Sequence, residues 1–344
     1  MSADCRADGS GYGGLAKRMR TPILVTGMHR SGGSWVAKMI EGGGDVVHVN
    51  EPFNRRHPPG LTPGILRVPP PRAYQYVGPH NEADYLPGFR DMLDLRYGLA
   101  AEVRTNRGAY DLAKAAKYLT AFTYGRARGL RALIDDPYMV FAAEWLAERL
   151  DCRVVMLVRH PAGIVSSLKR IGTGWSDNLP DIASQPELVE RYLSAYAAEL
   201  EAAAGQPLDP VAHGALLWLL IHSAIAQQLD RHPEFLVVRY EDIATDPEAG
   251  FRDLYERLDL PWNERAQKAV QAGSMAGPAA RRNPWGRVGL ARTAFQPMES
   301  KANAWAWRDR LSPAEAGAVI RTARPVAERF YGPDELALDR EHAA

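Results

Sequence analysis

A loop rich in glycine and serine carries the first residues that could do chemistry. It runs from Gly27 to Ser34, reads GMHRSGGS, and follows a short apolar run. Successive backbone N–H groups at the start of a helix bind phosphate, because unpaired donors and the helix dipole both favour an anion. The spacing of Gly27, Gly32 and Ser34 matches the Walker A motif, but Gly33 stands where that motif has lysine. The loop therefore predicts an anion site without the usual lysine.

A second candidate anion site follows the strongly apolar run from Arg153 to Val158. Arg159 comes directly after this predicted strand, and Ser167 lies in a predicted helix that begins at Pro161. Open α/β sheets bind ligands at the carboxyl ends of their strands, so Arg159 and Ser167 are placed to bind a second phosphate. A kinase with a Walker A loop also needs a strand-terminal aspartate for magnesium, whereas this strand leads into Arg159. The pattern favours an anion site without the usual metal apparatus.

Predicted strands alternate with predicted helices, and the strands are nearly continuous in apolar residues. This alternation is typical of a parallel sheet covered by helices on both faces, so we predict an α/β fold with a P-loop-like sheet. Prolines crowd residues 52–79, which predicts a long loop. The predicted strands are 23–26, 46–49, 131–135, 153–158 and 235–238, and the predicted helices include 34–41, 84–97, 110–124, 141–150, 161–170, 186–204, 210–230 and 246–258.

The composition of the 344-residue chain is that of an ordinary globular protein. Its net charge of +1 argues against a broad nucleic-acid surface. Cys5 and Cys152 lie far apart, so the sequence predicts no disulfide and no metal site. Residues 1–20 lack the apolar segment of a signal peptide, and residues 214–229 are too short and too polar to span a bilayer. We expect a cytoplasmic protein with no stable membrane insertion, a disordered N-terminal tail at 1–20, a C-terminal tail at 336–344, and one domain over 21–335.

The two anion motifs together resemble those of sulfotransferases that use 3'-phosphoadenosine 5'-phosphosulfate (PAPS), in particular bacterial and carbohydrate-type members. The resemblance rests on residues 29–35, HRSGGSW, as the 5'-phosphosulfate loop, and on residues 154–167 as the 3'-phosphate site. Residues 239–242 and 300–308 match as well, so the resemblance covers about residues 22–331. It implies transfer of a sulfuryl group to a hydroxyl, or with less preference an amine, without a metal, and release of adenosine 3',5'-bisphosphate (PAP).

The resemblance also implies roles for the loop residues. Arg30 takes the position of the basic residue that contacts the phosphosulfate bridge and stabilises charge on the leaving phosphate. Ser31, Gly32, Gly33 and Ser34 would bind the 5'-phosphate through backbone and hydroxyl donors.

Outside the loop, the resemblance implies four further nucleotide contacts. Trp35 matches an aromatic position that stacks on adenine in some members, and the competing interpretation is a core tryptophan. Arg159 and Ser167 would bind the 3'-phosphate, which distinguishes this donor from ATP. Lys301 would also reach the nucleotide, with a surface lysine as the alternative.

Sulfuryl transfer to a hydroxyl requires a general base, because the attacking oxygen must lose its proton. Glu51 is our candidate, since it follows the second predicted strand and resembles the glutamate that precedes proline in carbohydrate-type members. The competing interpretation is an ion-paired or helix-capping glutamate. The other candidates for the base are His29, His48, His160, Asp135 and Asp136.

Three positions depart from the pattern of the family. His29 stands where proline is common, Gly33 where threonine is common, and Asp135 where bacterial relatives often have lysine. An aspartate beside an anion site would either weaken anion binding or contact a basic or sugar acceptor. We expect these departures to tune donor affinity without loss of activity.

The acceptor is not specified by the sequence. Residues 52–79, 84–125 and 273–300 are expected to cover it, and a small molecule, a glycan or a natural product would each be compatible. Two other classes of protein stay open: a P-loop kinase that uses Mg-ATP, and a nucleotide-binding protein without catalytic activity.

Overall fold

One parallel sheet forms the centre of the protein. The computed structural model describes residues 21–55, 64–172, 178–206, 208–274 and 300–338. The five strands pair in the order β2-β3-β1-β4-β5, and every pair is parallel. They are β1 Ile23–Gly27, β2 Val46–Asn50, β3 Arg131–Asp135, β4 Arg153–Val158 and β5 Leu236–Arg239. The predicted parallel α/β fold is therefore confirmed.

The strand order decides which carboxyl ends meet. β1 lies between β3 and β4, and Val25 in β1 is opposite Asp135 in β3 and Val155 in β4. Since all strands run the same way, the segments that follow β1, β3 and β4 emerge at one edge of the sheet. Ligands of open α/β sheets bind at that edge.

Helices follow the strands and cover the sheet on both faces. Short 3₁₀ turns lie at Pro137–Ala142 and Ser194–Tyr196, and a π turn lies at Val189–Leu193. The α-helices are α1 Gly33–Gly42, α2 Glu82–Leu93, α3 Leu99–Thr105, α4 Ala109–Arg128, α5 Ala143–Leu150, α6 Pro161–Ile171, α7 Asn178–Ala183, α8 Pro186–Leu188, α9 Ala197–Ala204, α10 Pro210–Arg231, α11 Tyr240–Thr245, α12 Pro247–Arg257, α13 Glu264–Ser274, α14 Ser300–Trp305, α15 Trp307–Arg310 and α16 Pro313–Ala327.

Successive side chains of each strand point to opposite faces of the sheet. In β1, Ile23 and Val25 pack in one hydrophobic cluster with α1, α12 and α13. Leu24 packs in the other cluster, to which α6, α10 and α16 contribute. Because both faces are buried, the strands need apolar residues at nearly every position, which explains their uninterrupted apolar runs.

The predicted helix from 186 to 204 is wrong as a continuous element, since it is interrupted by the π turn at Val189–Leu193. Arg191 and Tyr192, adjacent in this turn, both donate to the buried carboxylate of Glu144. Two neighbouring side chains of the turn thus converge on one carboxylate oxygen. The predicted helix 84–97 also ends early, at Leu93.

Helix α10 is the most apolar long helix among the described residues. Its length and composition would allow it to cross a membrane, but 78% of its most apolar window is buried inside the protein. It belongs to the same hydrophobic cluster as α6 and α16. The prediction that residues 214–229 form part of a buried helix is confirmed.

Some predictions fall outside the described residues. These are the tail at 1–20, the arginine-rich part of the loop at 275–299 and the last residues from 339 onward. The limits of the single domain stay a prediction.

A buried tyrosine ties the end of α1 to α12. The Tyr255 hydroxyl accepts a hydrogen bond from the N–H of Gly43 at 3.2 Å. It donates towards the carbonyl oxygens of Met39 and Ile40, at 2.8 and 2.9 Å. The last carbonyl oxygens of a helix lack the regular intrahelical partner, so this hydroxyl supplies them with a donor in addition to the 3.3 Å bond from the Gly43 N–H to the Ile40 carbonyl oxygen.

We expect Tyr255→Phe to lower the free energy of unfolding by about 1–3 kcal/mol, because buried backbone groups lose their partner. Urea denaturation followed by circular dichroism measures this change. The matched control is Tyr124→Phe, since Tyr124 is 59% exposed; its effect should stay within about 0.5 kcal/mol. Equal effects of the two substitutions would contradict a structural role for the Tyr255 hydroxyl.

Candidate active site

The glycine-rich loop turns sharply between β1 and α1. Gly32 has φ 104°, in the left-handed region, and a Cβ there would lie 2.7 Å from the ring of Tyr240. Arg30 also has a positive φ, 75°, although it carries a side chain. α1 begins at Gly33, and the first N–H groups of a helix have no intrahelical partner. The loop thus combines a glycine required by packing with the backbone donors of a helix start.

Arg159 is the most constrained cation of the site. It is 6% exposed and follows β4 directly. Its Nη1 donates to the carbonyl oxygen of Arg30 at 3.0 Å, and its Nη2 donates to that of Asn303 at 3.1 Å. The guanidinium lies 4.1 Å from the ring centroid of Tyr240. Its own carbonyl oxygen accepts from Trp218 Nε1 at 2.9 Å, so both ends of the residue are fixed.

Arg30 and Ser167 are in direct contact. Arg30 Nε donates to Ser167 Oγ at 3.0 Å, which joins the glycine-rich loop to α6. Burial, followed by the charges of Arg159 and Arg170, lowers the pKa of Arg30 from its ordinary value. The cations are therefore close enough to repel one another, and an anion bound between them would relieve that repulsion.

A cavity of about 600 Å³ opens where these elements meet. It is lined by residues of the β1–α1 loop, by the ends of β3 and β4, and by α6. The predicted site residues that line it are Arg30, Ser31, Gly32, Gly33, Ser34, Trp35, Glu51, Arg159 and Ser167. The structure thus brings together all but one of the residues proposed from the sequence.

Lys301 is the predicted site residue that does not line the cavity. It is exposed at the start of α14 and is not among the described residues that line the cavity, whereas Asn303 of the same helix is. Trp35 does line the cavity but is 2% exposed. It packs edge-on against Tyr240 and Phe251, with centroids 5.6 and 5.2 Å away, as expected for a core tryptophan.

Glu51 lies at the cavity wall, directly after β2. It adopts φ 45°, and its N–H donates to the carbonyl oxygen of Asp135 at 2.7 Å. Its Oε2 accepts from Asn54 Nδ2 at 2.5 Å. A non-glycine residue in the left-handed region is held there by its surroundings, so the backbone direction of Glu51 is set by β3 and by the following turn.

Three of the alternative candidates for the general base do not line the cavity. Asp136 is fully buried and accepts from the N–H groups of Phe53 and Tyr138. His160 is also fully buried, and its ring stacks on Trp307 at 4.8 Å. His48 is 1% exposed, and like the other two it is not among the described residues that line the cavity.

The remaining alternatives, His29 and Asp135, line the cavity together with Glu51. His29 Nδ1 lies 2.6 Å from the hydroxyl of Tyr74, and its ring stacks on Tyr138. Burial, then the charges of Arg30 and His213, lowers the pKa of His29 to about 3. His29 is therefore neutral at physiological pH, and the histidine in this loop adds no positive charge.

Asp135 and Gly33, two departures from the family pattern, lie against each other. A Cβ at Gly33 would lie 2.5 Å from Asp135 Oδ1, so the larger threonine would clash with this carboxylate. Burial raises the pKa of the Asp135 carboxyl, and the nearby His48 and Ser34 oppose this shift. The glycine in the loop and the aspartate after the neighbouring strand are thus a matched pair.

His48 lies on the other side of Asp135. Its Nε2 is 3.7 Å from Asp135 Oδ2, and its Nδ1 is 3.7 Å from Glu41 Oε2. Burial alone would lower the pKa of His48, but the two carboxylates outweigh it and raise this pKa above its ordinary value. His48 therefore lies between two carboxylates that favour its protonated form.

Sequence reasoning gave no role to several residues that line the cavity. Tyr240 follows β5 and packs under the loop, and Asn303 donates to its hydroxyl at 2.8 Å. Arg170 lies three positions after Ser167 on α6. The sequence could have indicated Tyr240, because it comes directly after a strand, as Arg159 does. The contacts of Asn303 and Arg170 depend on tertiary packing, which the sequence does not show.

Comparison with known proteins gives relatives of one kind. The model of the Sulfotransferase family matches residues 22–264. Carbohydrate sulfotransferase 1 of Rattus norvegicus is 26% identical over 195 residues, which cover 53% of this chain and 36% of that protein. The human protein of the same name is 25% identical over the same length. The chain thus aligns with about a third of the length of the curated relatives it matches.

Among solved structures, the sulfotransferase domain from the curacin biosynthetic pathway matches with a TM-score of 0.46 and 15% identity. The match covers 90% of this chain and 98% of that domain. The family model covers well over half of the chain and includes the loop, Glu51, Arg159 and Ser167. The chain therefore belongs to the Sulfotransferase family.

Proposed function

We propose that the protein transfers a sulfuryl group from PAPS to a hydroxyl of a small-molecule, glycan or natural-product acceptor and releases PAP. One observation carries the proposal: the two anion motifs and Glu51 line a single cavity. Family membership supports the reaction class. An amine is the less favoured acceptor.

The residues present fit a nucleotide with two phosphate groups. The N–H groups at the start of α1 suit the 5'-phosphosulfate, as at other helix starts that follow a glycine-rich turn. Arg159 and Ser167 suit the 3'-phosphate, with Arg170 close to both. The mutual repulsion of the guanidinium groups favours a dianion, which is the charge of such a phosphate.

Arg30 lies between the two proposed phosphate positions. In this structure its Nε is bonded to Ser167, on the side proposed for the 3'-phosphate. As the bond between sulfur and the bridging oxygen breaks, its electron pair passes to the 5'-phosphate, and a guanidinium near that oxygen stabilises the new charge. We propose that Arg30 supplies this guanidinium by exchanging Ser167 for the bridging oxygen.

Glu51 is the proposed general base. The acceptor hydroxyl gives its proton to the carboxylate while its oxygen forms the new bond to sulfur. Asn54 fixes one carboxylate oxygen of Glu51 at 2.5 Å, and Glu51 lines the cavity. Asp135 lies close to Glu51 and is the second candidate for the base, because it also lines the cavity.

The acceptor would enter on the side of the cavity that Glu51, Asn54 and Tyr138 line. An aromatic ring beside amide and carboxylate oxygens suits a polyhydroxylated molecule, since the ring packs on C–H faces while the oxygens accept hydroxyl protons. That the curated relatives are carbohydrate sulfotransferases supports a sugar-like acceptor.

One observation favours a second candidate, a phosphotransferase. Asp135 is the last residue of β3, the strand beside β1, and P-loop kinases hold magnesium with a strand-terminal aspartate. The absence of lysine at Gly33 counts against it.

We expect Arg159→Ala to weaken PAP binding by roughly ten- to a hundredfold, because charge-assisted hydrogen bonds to phosphate are lost. Isothermal titration calorimetry measures the change. Arg159→Lys, which keeps the charge, should lose less. Arg329→Ala is the control, since Arg329 pairs with Asp230 on the surface; its affinity should equal that of the wild type. Unchanged PAP binding in Arg159→Ala would refute the proposed 3'-phosphate site.

We expect Glu51→Gln to keep PAP affinity within about twofold and to slow transfer by about a hundredfold to ten-thousandfold, since a positioned base is removed. Calorimetry measures affinity, and PAP release from PAPS with a panel of sugar and phenol acceptors measures transfer. A variant with wild-type turnover would exclude Glu51 as the base. The same assay on Asp135→Asn separates the two candidate carboxylates.

We expect PAP to raise the melting temperature of the protein, and Mg-ATP to leave it unchanged at equal concentration. Binding to the folded state alone stabilises by mass action, so the shift reports affinity. Differential scanning fluorimetry with both nucleotides makes the comparison. Stabilisation by Mg-ATP without any by PAP would favour the phosphotransferase instead.

A further inference from the structure

Asp135 brings an acidic group into a cavity that otherwise suits anions. It is the last residue of β3 and lines the cavity beside the start of α1. Its Oδ1 lies so close to Gly33 that a Cβ there would come within 2.5 Å of it. A carboxylate beside a bound phosphate group repels that group unless a positive charge compensates. Tight binding of a nucleotide therefore requires a compensating charge close to Asp135.

His48 lies behind Asp135, on the neighbouring strand. β2 pairs with β3 in parallel, with His48 opposite Leu133 and Asn50 opposite Asp135. The Nε2 atom of His48 is 3.7 Å from Oδ2 of Asp135, and its Nδ1 is 3.7 Å from Oε2 of Glu41. His48 is buried and is not among the described residues that line the cavity. It therefore acts on a ligand in the cavity through Asp135 and not by contact.

The ion-pair contacts are the polar interactions that this pair of side chains makes. Both ring nitrogens of His48 and Oδ2 of Asp135 are buried without a hydrogen-bond partner among the described residues. Burying such groups is costly unless opposite charges lie close by. The two carboxylates outweigh the effect of burial and raise the pKa of His48, and burial raises the pKa of Asp135. Both groups of the pair therefore hold a proton more firmly than they would in water.

The charged groups of the described residues that face His48 are two carboxylates. Glu41 comes from α1 and Asp135 from β3, and Lys38 of α1 bonds to Glu41 at 2.7 Å. α4 packs on the opposite face of β2, and Arg265 of α13 lies against the turn before β2. The protonation of His48 is thus governed by Asp135 on one side and by Glu41 on the other.

We propose that His48 is a positioning residue of the donor site, which keeps the Asp135–His48 pair electrically neutral so that Asp135 can lie beside the 5'-phosphosulfate without repelling it. The pair is neutral whether the shared proton lies on the imidazole or on the carboxylate, because two coupled groups titrate as a unit. Loss of that proton leaves one negative charge next to the loop. The inference rests on the proposed nucleotide function.

The affinity for PAP should fall on the alkaline side of neutral pH. The pKa of His48 is raised above its ordinary value of 6.5, so the pair keeps its proton below this raised pKa and loses it as the pH rises through it. PAP binding is therefore strongest below the raised pKa. The 3'-phosphate of PAP loses its own second proton near pH ~6, which acts in the opposite direction and is common to all variants.

The test is calorimetric titration of PAP at a series of pH values. His48→Gln should move the fall in affinity to lower pH, because a carboxyl group without the imidazole loses its proton sooner than the pair does. At neutral pH we expect this variant to bind PAP roughly tenfold more weakly than the wild type, the effect of one uncompensated charge. The control is His80→Gln, since His80 is exposed and is not among the described residues that line the cavity; it should bind as the wild type does.

A double variant separates charge compensation from packing. Asp135→Asn should bind PAP at least as tightly as the wild type. Asp135→Asn combined with His48→Gln should bind PAP within about threefold of the wild type and should lack the alkaline fall, because no charge is left to compensate. A weakening that persists in full in the folded double variant overturns the proposal, since it would come from lost packing at His48.

Glu41→Gln replaces His48→Gln if the latter does not fold. Glu41 is not among the described residues that line the cavity, and its carboxylate helps to raise the pKa of His48. Its removal should therefore lower that pKa and move the fall in PAP affinity to lower pH, with wild-type affinity below the fall. A structural defect would instead weaken binding equally at every pH, and that result counts against the proposal.

The outcomes also separate this role of His48 from the proposed function. Wild-type PAP affinity at every pH in folded His48→Gln, or an unshifted profile in Glu41→Gln, overturns charge compensation and leaves the nucleotide function intact. Failure of PAP to bind the wild type at any pH overturns the proposed function itself.

Discussion

The geometry of the site depends on the buried guanidinium of Arg159. This one group bonds to the carbonyl oxygens of Arg30 and Asn303 and packs on the ring of Tyr240. It therefore joins the loop after β1, the residue after β5 and a helix near the end of the chain. Burying a cation is costly unless its donors are bonded, so the acceptors of Nη1 and Nη2 stabilise Arg159, while its Nε has no partner among the described residues.

The loop shows how neighbouring residues constrain one another. Gly32 leaves room for Tyr240, and Gly33 leaves room for Asp135, so two successive glycines have separate packing reasons. The loop therefore carries little positive charge of its own. Arg30 is its one permanent cation among the described residues, because burial keeps His29 neutral. Charge for an anion must then come from Arg30, Arg159, Arg170 and the helix start.

The sequence predicted the fold well because buried parallel strands need uninterrupted apolar runs, and β1, β3 and β4 show them. It did not predict strand order, which depends on non-local pairing, so the position of β1 between β3 and β4 comes from the structure alone. The pair Asp135–Asp136 illustrates the same limit, since one carboxylate faces the cavity and the other caps backbone N–H groups. Neighbouring identical residues carry no signal that separates these roles.

The contact between Arg159 and Asn303 shows that the cavity needs residues near the end of the chain. Similarity to the family model ends at residue 264, yet Asn303 lines the cavity, and Ser300 is bonded to the carbonyl oxygen of Ala244. A protein shortened to the region of recognised similarity would keep every strand of the sheet but would leave a buried guanidinium donor without its acceptor. The end of the match to the family model is therefore not the end of the part of the chain that builds the cavity.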